Sequence, residues 1–235
     1  MKIIPKSLFV NFRMPAVIGA ILALTLGCAA QSSYSLDSFP DPPKSADAAM
    51  ATSGSSGIEK AVFAGGCFWG VQGVFERLKG VTETFAGYSG GSANTAQYET
   101  VSTGTTGHAE SVEVMFDPSV ISYGTLLKVF FSVVCDPTQL DYQGPDHGTQ
   151  YRNALFYTSD AQKKVAEEYI AILGKAKVFP NKIVTQVVPF KAFYKAEDYH
   201  QHFLDKNPGY PYIVYWDMPK IANLKKMYPA LLSNG

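Results

Sequence analysis

From residue 58 onward, apolar and polar positions follow two different periods, and the switches between them mark elements. Val62, Phe63 and Ala64 form a short apolar run that reads as a strand. It passes through Gly65-Gly66 into a stretch with apolar residues at Val71, Val74, Phe75 and Leu78. That spacing of i, i+3, i+4, i+7 predicts a helix, closed by Gly80. Over 111–116 the pattern becomes alternation, with Val112, Val114 and Phe116 on one face, and it stops at Asp117-Pro118, so a strand is expected there. Residues 123–131 predict a helix, 154–157 and 183–188 further strands, 159–173 a helix ended by Gly174, and 195–204 a last helix. A helix lies between most successive strands and no internal repeat appears. The expected class is therefore α/β: a two-layer sandwich of a ferredoxin-like mixed sheet with helices packed on it.

Two stretches, 87–107 and 136–151, fit no element. Long loops rich in glycine or polar residues are costly inside a domain unless they bind something, so the functional residues are sought there. The front of the chain has a different texture. Residues 1–13 carry Lys2, Lys6 and Arg13 without an acid, and an apolar run over 14–26 leads to Gly27-Cys28-Ala29-Ala30. This is the layout of a secretory leader, too short for a span of about 20 residues. Gly27 before Cys28 resembles the bacterial lipoprotein signal, with Thr25 where leucine is usual. Lipidation at Cys28, cleavage near Ala30 and an uncleaved anchor all remain open. Each implies export, to the periplasm or to a lipid-held site on a membrane. Residues 31–57 contain few large apolar groups and read as a disordered tether with an end-to-end distance of about 30 Å. The domain expectation is a leader over 1–30, the tether over 31–57 and one catalytic domain over 58–235.

Composition narrows the function without naming it. At 46% hydrophobic and 13% aromatic, 235 residues are enough to bury one sizeable core. Twenty basic and twenty acidic side chains cancel, and no basic run advertises nucleic acid. The three cysteines stand far apart without CxxC spacing, so local motifs build neither a disulfide framework nor a cysteine zinc site.

Cys67 falls at the turn between the first strand and the first helix. Free N–H groups and the helix dipole there favour thiolate over thiol, which predicts a nucleophile near neutral pH. The alternative is a packing cysteine, since free cysteine is among the most buried residue types. Crowding favours the nucleophile: Gly65-Gly66-Cys67-Phe68-Trp69-Gly70 is a poor packing motif and a plausible reactive thiol beside an apolar wall.

Three further motifs follow in order: Gly87-Tyr88-Ser89-Gly90-Gly91, then Gly104-Thr105-Thr106-Gly107-His108-Ala109-Glu110, then Gly144-Pro145-Asp146-His147-Gly148-Thr149-Gln150-Tyr151-Arg152. Together with the run around Cys67 they resemble the A-type peptide methionine sulfoxide reductases, over roughly residues 58–230. The resemblance implies a set of roles. Cys67 matches the nucleophile, and Glu110 the carboxyl that supplies a proton. Tyr98 and Tyr151 match the phenols that hydrogen-bond the sulfoxide oxygen, Asp146 a carboxylate ordering the same loop, and Phe68 with Trp69 the methyl pocket. It also implies preference for the S epimer, no metal or organic cofactor, a monomer, and an outside thiol donor, either a thioredoxin-like protein or a small dithiol. The partners expected are oxidised proteins and that donor.

The chain departs from the family where the second half of the cycle is concerned. Lys206-Asn207-Pro208-Gly209-Tyr210 is followed by Pro211-Tyr212-Ile213, and no cysteine occurs after Cys135, so a relay through C-terminal cysteines has no residues to run on. Cys135 precedes Asp136-Pro137-Thr138, where relatives usually carry histidine, and is a candidate resolving thiol or a packing residue. Ser102 stands where a cysteine is frequent, and Asn94-Thr95-Ala96-Gln97 lacks the proline usual before Tyr98. Two rival classes compete with this reading. His108-Ala109-Glu110 matches the H-x-E half of the zinc deaminases, whose downstream P-C-x-x-C is missing. His200 and His202, two apart on the expected last helix, would face different ways and share no metal. An exported binder of methionine-rich clients would not need Cys67 together with Glu110.

Overall fold

In the computed structural model of the protein, which describes residues 39–43 and 57–233, the apolar runs become one six-stranded sheet. Chain order runs β1 (Glu59–Gly65), α1 (Phe68–Phe75), β2 (Val81–Ser89), α2 (Tyr98–Val101), β3 (Ala109–Phe116), α3 (Tyr123–Val129), β4 (Tyr142–Gln143), β5 (Asp146–His147), β6 (Asn153–Tyr157), α4 (Asp160–Lys175), β7 (Gln186–Pro189), β8 (Phe193–Lys195), α5 (Phe203–Lys206) and α6 (Met218–Met227). Across the sheet the order is β7-β6-β1-β3-β2-β8, while β4 and β5 pair separately as a small hairpin. Only β6 and β7 are parallel, joined by the α4 crossover that parallel pairing requires. The inner order β6-β1-β3-β2, with α1 between β1 and β2 and α3 between β3 and β6, is the split βαβ arrangement of ferredoxin-like folds, as expected.

The helix after Cys67 holds the molecule together. Every residue of α1 except Trp69 is buried, as suits a helix apolar on nearly all sides. One side packs on β2 and β3 and another on α5 and α6. Phe75 stacks on Phe63 of β1 with ring centroids 4.7 Å apart, and Phe130 closes the same cluster at 5.5 Å. Gln72, the polar member of α1, is fully satisfied. Its amide donates to the Thr84 carbonyl at 3.2 Å and its oxygen accepts the His202 N–H at 2.8 Å.

Three expectations are corrected. Residues 195–204 are not one helix: β8 pairs with β2 through Gly87, Tyr88 and Ser89, a single turn follows at Asp198–His200, and α5 begins only at Phe203. The edge of β2 wins this segment. Beyond β8 the Ala196 N–H and the Gln201 side chain complete the backbone bonding of Ala86, and His202 at φ 54° ends any helical continuation. The strand expected over 183–188 is confined to Gln186–Pro189. Within the segment read as a tether, residues 39–43 are docked: Phe39 is buried edge-on to Phe179, the Pro40 carbonyl accepts the Tyr169 hydroxyl at 2.8 Å, and Asp41 pairs with Lys128 at 2.7 Å. Cys28 and the rest of the leader lie outside the described residues.

Candidate active site

Cys67 ends the bend that leaves β1, and Gly66 makes the bend possible. Its φ of 89° suits glycine, and a Cβ there would press on the Gln143 side chain at 2.6 Å. The thiol therefore sits at the N-cap of α1, where the Trp69 N–H favours its anion without making a cap hydrogen bond. Glu110 arrives from β3. It shares a face with Val112, Val114 and Phe116, so strand alternation drives its carboxyl into the apolar layer, 3% exposed. There its Oε2 accepts the Phe68 N–H at 3.0 Å. Nucleophile and carboxyl thus meet at the first turn of α1.

Around them lies a cavity of ≈ 180 Å³, lined by Cys67, Phe68, Trp69, Tyr98, Glu110, Asp146, Tyr151, Tyr210 and Tyr212. All seven residues expected to act at the site are brought together. The two stretches that fitted no element deliver three of them. Tyr98 starts α2, fixed by its N–H on Glu197 at 2.9 Å. Asp146 stands on β5 and Tyr151 in the turn that follows. Trp69 is clamped by stacking on Phe203, 3.9 Å between centroids, and by Tyr210 and Tyr212 edge-on, so it forms a rigid apolar wall.

Burial governs the protons. Desolvation, and after it the Asp146 and Asp217 charges, raise Glu110 to about 8 against the pull of the Phe68 N–H, so its carboxyl is protonated at neutral pH. Cys67 is pushed well up, first by burial and then by Glu110, Asp217 and Asp146. That corrects the expectation of a resting thiolate. A dipole worth about half a charge at the start of a short helix does not outweigh desolvation and three nearby carboxyls. Tyr98 and Tyr151 are raised by burial and by Glu110, which keeps both phenols as O–H donors. Asp146 is raised by burial, although the Tyr212 hydroxyl hydrogen-bonds it.

Several residues that support the site were not anticipated. Tyr210 and Tyr212 line it, and Tyr212 holds Asp146. His200 accepts the Trp69 indole N–H on Nδ1 at 3.1 Å, so its neutral ring carries the proton on Nε2. Glu197 accepts the Tyr88 hydroxyl as well as the Tyr98 N–H, each at 2.9 Å. Asp217 and Lys220, a buried pair 3.1 Å apart, lie so close to α1 that a Cβ on Gly70 would overlap the Asp217 carboxylate. Each comes from a segment more than 100 residues beyond Cys67. His108 is occupied otherwise: Nδ1 accepts the Gly91 N–H at 3.2 Å and Nε2 donates to the Ser92 carbonyl at 2.9 Å, which leaves no lone pair for a metal. His200 and His202 lie on a turn and a left-handed residue, not on one helix. Cys135 is not among the residues lining the cavity; its thiol is held up by burial and donates to the Phe130 carbonyl at 3.6 Å.

Comparison with known proteins identifies the family. Residues 59–231 match the family profile described as peptide methionine sulfoxide reductase. The chain is 60% identical over 177 residues to peptide methionine sulfoxide reductase MsrA 2 of Mesorhizobium japonicum, covering 75% of this chain and 91% of the relative. It is 48% identical over 207 residues to MsrA 2 of a Synechocystis species, covering 88% and 95%. Among solved structures, reduced Mxr1 of Saccharomyces cerevisiae superposes with a TM-score of 0.61 at 36% identity, over 66% of this chain and 88% of that one. Methionine sulfoxide reductase A of Corynebacterium diphtheriae gives 0.55 at 34%, over 67% and 79%. With a thiol and a protonated carboxyl converging on an aromatic pocket, the chain belongs to the peptide methionine sulfoxide reductase family, in its MsrA branch, and is an oxidoreductase.

Proposed function

We propose that this protein reduces the S epimer of methionine sulfoxide, in polypeptides and as the free amino acid, with Cys67 as nucleophile and Glu110 as proton donor. The observation that carries the reading is the Cys67 thiol and a carboxyl raised to about 8 facing one aromatic cavity. The Tyr98 and Tyr151 hydroxyls, both kept protonated, polarise the S–O bond, and Phe68 with Trp69 receives the methyl group. Glu110 gives its proton to the sulfoxide oxygen as the Cys67 sulfur attacks the substrate sulfur. The carboxylate so formed takes up the thiol proton, and the hydroxyl passes to Cys67. Methionine leaves and Cys67 becomes a sulfenic acid, so one sulfur is reduced and one oxidised. Glu110 thereby recovers the proton it gave and ends the step as it began.

An outside dithiol then returns the sulfenic acid to thiol with loss of water. Cys135 does not line the cavity, and its thiol donates to the Phe130 carbonyl, which favours this scheme over internal resolution. Turnover of an S-sulfoxide methionyl peptide with dithiothreitol tests it. Cys67→Ser should be inactive and Cys135→Ser unimpaired; activity in Cys67→Ser would sink the assignment. If Cys135→Ser kept its first turnover but lost sustained turnover with a protein donor, the resolving role would pass to Cys135. We further propose that the protein works outside the cytoplasm repairing exported proteins, on the strength of the leader pattern over residues 1–30 and Cys28. Incorporation of labelled lipid into the full chain, abolished by Cys28→Ala, would establish the anchor.

A further inference from the structure

Beside the mouth of the cavity the chain exposes large apolar side chains in succession. Ile213–Asp217 forms a wide π turn that buries Ile213 and Asp217 and turns Val214, Tyr215 and Trp216 outward together; Met218 follows, also exposed. Tyr215 is 74% exposed. A single exposed aromatic means little, whereas a contiguous cluster is unfavourable in water unless something covers it. Wide turns of this kind recur at functional sites.

This cluster joins two walls of the cavity. Tyr210, in the same segment, lines it and packs edge-on against Trp69. Trp216 lies over Gly144, its ring about 3.5 Å from where a Cβ would stand, and Gly144 is in the turn that presents Asp146. From residue 209 to 219 the sole charged side chain is Asp217, which is buried, so the exposed surface is apolar and uncharged.

We propose that this surface, centred on Tyr215 and Trp216, binds the apolar residues that flank the oxidised methionine in an unfolded polypeptide, and so sets a preference for such substrates over free methionine sulfoxide. The inference rests on the reductase reading above and deepens it. A methionine side chain that reaches Cys67 brings its own backbone to the mouth. At about 3.3–3.6 Å per extended residue its neighbours must lie across the rim. Contact without charge or directional hydrogen bonds tolerates many sequences, as repair of varied clients requires. A single donor protein would be recognised better by a charge-patterned surface.

The test compares wild type with Tyr215→Ser/Trp216→Ser on three substrates, using dithiothreitol as reductant: N-acetylmethionine S-sulfoxide amide, a peptide with leucine and phenylalanine beside the sulfoxide, and one with aspartate and serine there. The variant should turn over the small amide at the wild-type rate, which shows that it is folded. It should lose roughly tenfold in kcat/KM on the apolar peptide, the scale of a lost apolar contact, and little on the polar one. An unchanged ratio between apolar peptide and amide would overturn the proposal. So would a defect that appears only with a thioredoxin-like donor and vanishes with dithiothreitol, which would assign the surface to the donor. If the wild type reduces none of the three, the reductase reading fails and takes this inference with it.

Discussion

Glu110 is a carboxyl whose value depends on staying neutral. Glu110→Gln keeps the size and the position beside the Phe68 N–H but has no proton to give, so kcat should fall by about 10²–10⁴. The wild-type rate of the first, reductive half-reaction should decline as pH rises through about 8, the point at which Glu110 ionises. Single-turnover methionine yield against pH checks this; a rate that keeps rising past pH 9 would contradict it. The same raised value carries a stability consequence. Between the unfolded carboxyl value and about 8 the native state holds the extra proton, so stability falls as pH rises through that window, by on the order of a few kcal/mol. Glu110→Gln escapes that loss, and its Tm should exceed that of the wild type at pH 9 while its activity is gone.

In α1 the motif around Cys67 is inseparable from what packs on it. Gly70 admits the Asp217–Lys220 pair, whose side chains are 0% and 9% exposed, against the first turn of the helix. Asp217→Ala should cost about 3–5 kcal/mol, because it leaves a buried lysine without its counter-charge. The double change Asp217→Leu/Lys220→Met should recover most of that. Urea denaturation of the wild type and the two variants checks the pattern, and equal losses in the single and double variants would refute it. The segment that failed as a helix, residues 195–204, shows why period alone misleads. Its apolar spacing suits a helix, yet the unpaired edge of β2 offers backbone partners that an isolated helix of that length cannot match.

Across the whole molecule, the domain begins earlier than its first strand. Phe39 is buried in the same core as α1 and α4, so Phe39→Ala should lose about 3 kcal/mol. A Tm equal to that of the wild type would restore residues 39–43 to the tether. The composition of 31–57 hid this, since one phenylalanine among prolines and serines gives no period and its partner Phe179 is 140 positions away in the chain. The Asp41–Lys128 pair, exposed on its acidic side, should add at most about 1 kcal/mol.

The fold class, the presence of α1 and α4, the family and seven residues of the cavity were legible before any coordinates, because each rests on a local pattern; the helix ends were not, since α1 stops at Phe75 short of Leu78 and α4 runs through Gly174 to Lys175. Strand alternation places Glu110 on the apolar face with Val112, the glycines of the first motif make the turn that sets Cys67 at the start of α1, and spacing marks the helices. Protonation was not legible. Whether Cys67 rests as thiol or thiolate depends on burial and on carboxyls from β3, β5 and the turn before α6, all distant in sequence. Nor was the outer frame: His200 under Trp69, Glu197 under Tyr98, and the apolar rim after Tyr210. These are contacts between segments more than 70 residues apart, and their energies come from desolvation and packing that exist only once the chain has closed on itself.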